Sequence, residues 1–208
     1  MDTRFGNAIQ FWNGCRNIEI SGCYIYQVFD AGITIQGDDL ESVYKNIRVE
    51  KNLIEYCSWS FEWWSGYENP YYYSLNLCDN GEIGNITVDS NIMRFEGRGW
   101  ALATRKPTSI QGPWGVRTYK NLSDFVVSNN IFDCPNGLFI EWRQSPHLTA
   151  QQGYSMYGNS YYRKAADTTL TSVFGTTEER YASNQAELEA AVRSFEVDHG
   201  TIQWIEQS

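Results

Sequence analysis

Two histidines, His147 and His199, are all that a chain of 208 residues provides, and that scarcity removes several chemistries at once. A zinc centre draws on His and Cys at set spacings, and a Ser/His/Asp triad needs a His within reach of its nucleophile. Neither histidine has a nucleophile beside it in sequence. The five cysteines, Cys15, Cys23, Cys57, Cys78 and Cys134, form no CxxC pair and leave an odd count. Buried free thiols are therefore expected, rather than disulfides or metal ligands. No run of 18 apolar residues exists to cross a membrane as a helix, and residues 1 to 12 hold no signal-peptide core. Basic residues are few, 16 against 25 acidic, for a net charge of −9. That disfavours a nucleic-acid surface, which needs a basic stripe. Strongly anionic polymers are disfavoured as well unless calcium bridges the like charges. Before residue 183 no stretch holds the 3.6-residue period over ten or more residues, which excludes helical repeats.

What the chain does contain is a repeat. Ile18-Glu-Ile-Ser-Gly-Cys23, Ile47-Arg-Val-Glu-Lys-Asn52, Ile86-Thr-Val-Asp-Ser-Asn91, Phe125-Val-Val-Ser-Asn-Asn130 and Tyr154-Ser-Met-Tyr-Gly-Asn159 share one pattern. Their anchors, Cys23, Asn52, Asn91, Asn130 and Asn159, lie 29, 39, 39 and 29 residues apart. Spacings of this size mark a solenoid, whose units bury their apolar faces only by stacking. The apolar period within each unit is two, the period of a strand. Ile18/Ile20, Ile47/Val49, Ile86/Val88 and Phe125/Val127 are thus expected to face inward. A second alternating run follows at Ile33/Ile35, Phe61/Trp63, Trp100/Leu102 and Leu138/Ile140, and Ile9 with Phe11 reads as the second half of an earlier unit. Asn tolerates the left-handed conformation of a coil corner and bonds neighbouring backbone, so Asn52, Asn91 and Asn130 are expected to form a structural ladder.

Asn46-Ile-Arg-Val-Glu-Lys-Asn-Leu-Ile and Asn85-Ile-Thr-Val-Asp-Ser-Asn-Ile-Met resemble the coil motif of the pectate-lyase-like right-handed parallel β-helices, over roughly residues 7 to 162. The resemblance implies an all-β fold: a right-handed parallel β-helix of about five coils across 1–164, then a capping segment at 165–208. It also implies a carbohydrate-active protein that works outside the cell or at its surface, although fold alone does not decide chemistry. The expected partner is a polysaccharide or oligosaccharide. The start of the chain offers no cap, so further N-terminal coils or another chain are expected over the open end, with this chain a C-terminal portion. The other end has one: Ser183, Asn184 and Glu187 form a helix start, and Leu188, Ala191, Val192 and Phe195 share a face. A helix over 183–196 and a strand at Thr201–Ile205 are predicted to close the last coil.

The 39-residue spacings leave about 10 extra residues per unit, expected as loops around Gly66 to Asn80 and Lys106 to Thr118. Trp59, Trp63, Trp64, Tyr67, Tyr71, Tyr72 and Tyr73 crowd the first region, and Trp114 lies in the second. Trp64, Tyr72, Tyr73 and Trp114 are candidate platforms for sugar rings, while Trp63 and Trp100 are expected to pack inward. Strand parity puts Glu62 outward beside Trp64, and Glu141 outward two coils on and one alternation along. Two coil spacings give about 9.6 Å between backbones, and inverting glycosidases hold their carboxyl pair ~6.5–9.5 Å apart. Glu62, Asp38, Asp39 and Glu141 are accordingly the candidate catalytic carboxylates. Gly37-Asp-Asp39 resembles a piece of the polygalacturonase signature, but the Gly-His-Gly and Arg-x-Lys parts are missing; an acidic turn is the other reading. Arg98, Arg105 and Arg143 are candidate substrate contacts, or partners of Glu96 and Glu141. No cofactor and no resident metal are expected; only a lyase reading brings in calcium, with Asp38, Asp39 and Glu41 as ligands and Arg98 or Arg105 as base. The function expected is glycoside hydrolysis. The alternatives are a glycan- or partner-binding solenoid without catalysis, and a calcium-dependent lyase.

Overall fold

The computed structural model describes residues 6–12, 14–37, 43–57, 59–65, 82–94, 108–114, 122–133, 138–141, 154–164, 169–172, 179–194 and 196–205. Strands come in threes. The first set is β1 (Ile9–Trp12), β2 (Cys15–Ser21) and β3 (Tyr24–Tyr26), the second β4 (Ala31–Gly37), β5 (Val43–Glu50) and β6 (Leu53–Glu55). The third is β7 (Trp59–Ser65), β8 (Glu82–Asp89) and β9 (Ile92–Arg94). β10 (Thr108–Trp114), β11 (Leu122–Ser128) and β12 (Ile131–Asp133) follow, then β13 (Leu138–Glu141), β14 (Tyr154–Tyr157) and β15 (Ser160–Lys164). The chain ends with β16 (Thr169–Ser172), β17 (Glu179–Tyr181), α1 (Gln185–Arg193) and β18 (Ile202–Ile205).

From β4 onward each strand except β17 lies beside the one three places before it. Sheet 1 runs β1-β4-β7-β10-β13-β16-β17, sheet 2 runs β14-β11-β8-β5-β2, and sheet 3 runs β18-β15-β12-β9-β6-β3. Pairing is parallel except between β16 and β17. The fold is therefore all-β, built from parallel sheets, with one short helix among the described residues.

The alternating residues meet as expected. Ile47 pairs with Ile86, and Ile86 with Phe125, all at most 1% exposed. Ile33, Ile35 and Phe61 of sheet 1 join the same apolar cluster, and the Phe61 and Phe125 rings stand 6.3 Å apart across it. Sheet 3 contributes Ile25, Ile54, Met93, Phe132 and Tyr161, the middle residues of its short strands and the second residue of β15. Burying an aliphatic or aromatic side chain of this size stabilises by about 1.5–3 kcal/mol, so the stacked columns hold the coils together.

Two rows of amides run from strand set to strand set. In the first, the backbone N–H and Nδ2 of Asn52 donate to Asn91 Oδ1, both at 2.9 Å. Asn91 treats Asn130 the same way, and Asn130 treats Asn159. Cys23 N–H enters the row on Asn52 Oδ1. The row ends on Glu196, whose carboxylate accepts from Asn159 N–H at 2.7 Å, Asn159 Nδ2 at 3.0 Å and the Tyr161 hydroxyl. These asparagines do not themselves turn the corner in the left-handed conformation, contrary to expectation. The residue before each does: Gly22, Lys51, Ser90, Asn129 and Gly158 have φ of 64°, 57°, 55°, 54° and 70°. The reversal belongs to one residue, and the next aims its buried amide along the stack. At Gly158 a Cβ would stand 2.4 Å from Asn129 Oδ1, so a larger residue there would have to push that side chain aside. A second row, Asn85 Nδ2 to Asn46 Oδ1 and Asn46 Nδ2 to Asn17 Oδ1, both 2.8 Å, does use left-handed asparagines, at φ 54°, 56° and 58°.

At the C-terminal end α1 covers 185–193, shorter than the 183–196 expected. Asn184 is its N-cap in an extended conformation, its side chain accepting from Glu187 N–H at 3.0 Å. Glu187 reaches back to Ser183 N–H at 2.7 Å. Leu188, Ala191 and Val192 enter the same apolar cluster as the strands, and β18 pairs with β15.

Candidate functional site

Sheet 1 carries Glu62 and Glu141, two of the four carboxylates singled out from the sequence. Thr34 pairs with Glu62, Glu62 with Gln111, and Gln111 with Glu141, so four strands place these residues at one register position. Gln10 precedes them opposite Thr34, and Ser172 follows opposite Glu141. Two residues further along lies a second row, Trp12, Gln36, Trp64 and Trp114. Register thus brings Glu62 and Glu141 into one row with Gln111 between them, not one alternation apart as expected, because Phe61 aligns through Ile110 with Ile140 and not with Leu138; it sets Trp64 opposite Trp114 in the neighbouring row. Glu62 and Glu141 are two strand spacings apart, about 9.6 Å along the stack.

Glu62 is not an open surface carboxylate. It is 5% exposed, flanked by Ser60 at 4% and Thr34 at 0%. The Thr34 hydroxyl donates to Glu62 Oε2 at 3.0 Å. Strand parity placed Glu62 correctly, on the opposite side from Phe61, but parity carries no information on what lies above a sheet. Outward by parity, Glu62 is nevertheless buried. A buried carboxylate needs hydrogen-bonding partners, and Thr34 is one.

A second correction concerns β10. The sequence reading put this coil's sheet 1 strand at Trp100/Leu102 and a loop at Lys106 to Thr118. Instead Thr108–Trp114 is the strand, and Ile110 pairs with both Phe61 and Ile140. Gly112 and Pro113 suggested a loop, but they fall where the register shifts between Gln111 and Trp114, an irregularity that accommodates both residue types. Gln111 was consequently missed as a neighbour of Glu62. The usable signal was Ile-Gln at 9–10 and 110–111 beside Ile-Glu at 140–141.

Asp38, Asp39, Tyr72, Tyr73, Arg98, Arg105 and Arg143 lie outside the described residues, as do Glu41 and Trp100. Among the described residues no three His, Cys, Asp or Glu side chains gather as a metal site, and no helix is long and apolar enough to cross a membrane. Cys15, Cys23 and Cys57 are free thiols, and burial pushes Cys15 and Cys57 up to about 11. No protein-family model, no curated protein and no solved structure matches the chain.

Proposed function

We propose that the chain is a right-handed parallel β-helix that hydrolyses a neutral or lightly substituted polysaccharide with inversion, using Glu62 and Glu141 of sheet 1. The handedness rests on the strong right-handed preference of connections between parallel strands of one sheet, together with the motif resemblance at Asn46 to Ile54 and Asn85 to Met93. The chemical reading is carried by one observation: the two carboxylates share a register row with Gln111 between them. Their backbones stand about 9.6 Å apart, just beyond the ~6.5–9.5 Å carboxyl separation that leaves room for an attacking water, a difference that two long side chains can close.

In this reading Glu62, enclosed and held by Thr34, protonates the leaving glycosidic oxygen. Glu141 removes a proton from the water that attacks the opposite face of the sugar. Trp64 and Trp114, in the adjacent row, stack on neighbouring sugar rings. Because Glu62 is enclosed, substrate must displace whatever covers it.

The test is incubation with a panel of soluble polysaccharides, with calcium and with a chelator. Hydrolysis releases reducing ends without an unsaturated product, and Glu62→Gln lowers the rate by ~10²–10⁴, the usual loss on removing a general acid. Full turnover by Glu62→Gln overturns the assignment. A calcium-dependent unsaturated product would show a lyase, and retention without turnover a binding solenoid.

A further inference from the structure

The outer face of sheet 3 has two unlike rows of side chains, and neither belongs to the sheet 1 site. Its three-residue strands point the middle residue into the core, leaving the first and third outside. First positions form the register row Tyr24, Leu53, Ile92, Ile131 and Ser160. Third positions form Tyr26, Glu55, Arg94, Asp133 and Tyr162. An apolar row with an aromatic head therefore runs beside a polar one. Tyr24 and Tyr26 are 62% and 46% exposed, large for aromatic rings. Their centroids lie 5.8 Å apart at a tilt of 32°, and Tyr56 meets the edge of Tyr26 at 5.3 Å. Rings at these distances touch one another and leave no gap for a cation between them. They form a platform.

We propose that this face is a binding strip for a linear neutral glycan, laid along the stack and anchored on Tyr24 and Tyr26. Shape is the first argument. Outward residues two apart on a strand span ~7 Å, and four steps from β3 to β15 span ~19 Å, so the strip covers on the order of 200 Å² with its side chains. A folded partner uses about 800 Å² of each surface, whereas a single polymer chain needs only a narrow track. Backbone chemistry is the second. An extended peptide gains its affinity from a sheet edge, and the N–H and C=O groups of β6, β9, β12 and β15, which have a neighbour on both sides, are already engaged in the ladder; of the strands under the strip only β3 ends the sheet.

Charge is the third argument. Arg94 is held between Glu55, at 2.9 Å, and Asp133, at 3.1 Å, and Tyr24 donates to Glu55 at 3.0 Å. The three charged groups of the row sum to one negative charge, and the whole chain carries −9. A uronate or phosphate polymer would be repelled, while a neutral sugar offers C–H faces to the tyrosines and hydroxyls to the carboxylates.

Affinity electrophoresis through gels containing hydroxyethyl cellulose, arabinoxylan or galactomannan tests the strip, with polygalacturonate as the anionic control. At least one neutral polymer should retard the protein. Tyr24→Ala with Tyr26→Ala should weaken that retardation at least about tenfold, as loss of anchoring aromatics does. Tyr24→Phe with Tyr26→Phe should keep most of it, and Leu53→Lys should weaken it independently. If the double alanine variant does not fold by circular dichroism, Leu53→Lys alone decides. Glu62→Gln should be retarded like the parent, so full turnover by that variant would count against the sheet 1 reading only and leave the strip standing. Absence of retardation by all three neutral polymers, equal retardation by polygalacturonate, or unchanged retardation of Leu53→Lys overturns the proposal. So does a concentration-dependent dimer in sedimentation that the tyrosine substitutions dissolve, which would make the face an interface between copies.

Discussion

Asn91 uses every hydrogen-bonding group it has. Its amide oxygen accepts from Asn52 N–H and Nδ2, its Nδ2 donates to Val49 C=O and to Asn130 Oδ1, its N–H joins Asn130 Oδ1, and its C=O accepts from Ile131. With the residue 1% exposed, water cannot replace these partners. Asn91→Ala should strand the Asn52 N–H and the Val49 carbonyl, at about 1–3 kcal/mol for each buried unsatisfied group. Urea unfolding should show a lower midpoint with an unchanged slope. Asn91→Asp should be worse than Ala at neutral pH, since a buried carboxylate would face two acceptors. The column was legible in the sequence because its spacing recurs. Its mechanism was not, because the left-handed φ falls on Lys51, Ser90 and Asn129, which do not announce a corner as glycine does.

At the scale of an element, the segment after α1 completes the amide row by putting a carboxylate where another coil would put an asparagine. Burial pushes the Glu196 carboxyl above its ordinary value of 4.5, against the pull of the Tyr161 hydroxyl, the Asn159 donors and His199. In the pH range between the ordinary and the raised value the folded chain keeps a proton that the unfolded chain releases. The contribution to stability is therefore full below pH 4.5 and declines as pH rises through the folded value. The stability of the parent relative to Glu196→Gln should fall as pH increases from about 4.5, measured by urea unfolding across pH. A difference that grows with pH would contradict this account. The helix itself was readable from Asn184, Glu187 and the Leu188/Ala191/Val192 face, since cap and face are both local signals. The acceptor on Glu196 was not, because its partners sit 37 and 35 residues away.

Across the whole molecule, cohesion comes from strands three places apart rather than from neighbours in sequence. β8 is bonded on both sides, to β5 and β11, while β2 and β14 end sheet 2. Opening a strand bonded on both sides requires separating two coils, so amides of β8 should exchange with deuterium more slowly than those of β2 and β14. Equal rates in all three would show that the stack opens only as a unit.

The amino-acid sequence by itself determined the strand period, the inward columns of Ile47, Ile86 and Phe125, the anchor positions and the capped helix. Each of these is written in residue types a few places apart or in a recurring spacing. Tertiary structure alone decided the register of sheet 1, and with it the row that joins Glu62, Gln111 and Glu141. It also decided that β6, β9 and β12 are strands, because three residues carry too little periodicity to be read alone. Finally, it enclosed Glu62: alternation says which side of a strand a residue takes, while exposure depends on parts of the chain distant in sequence.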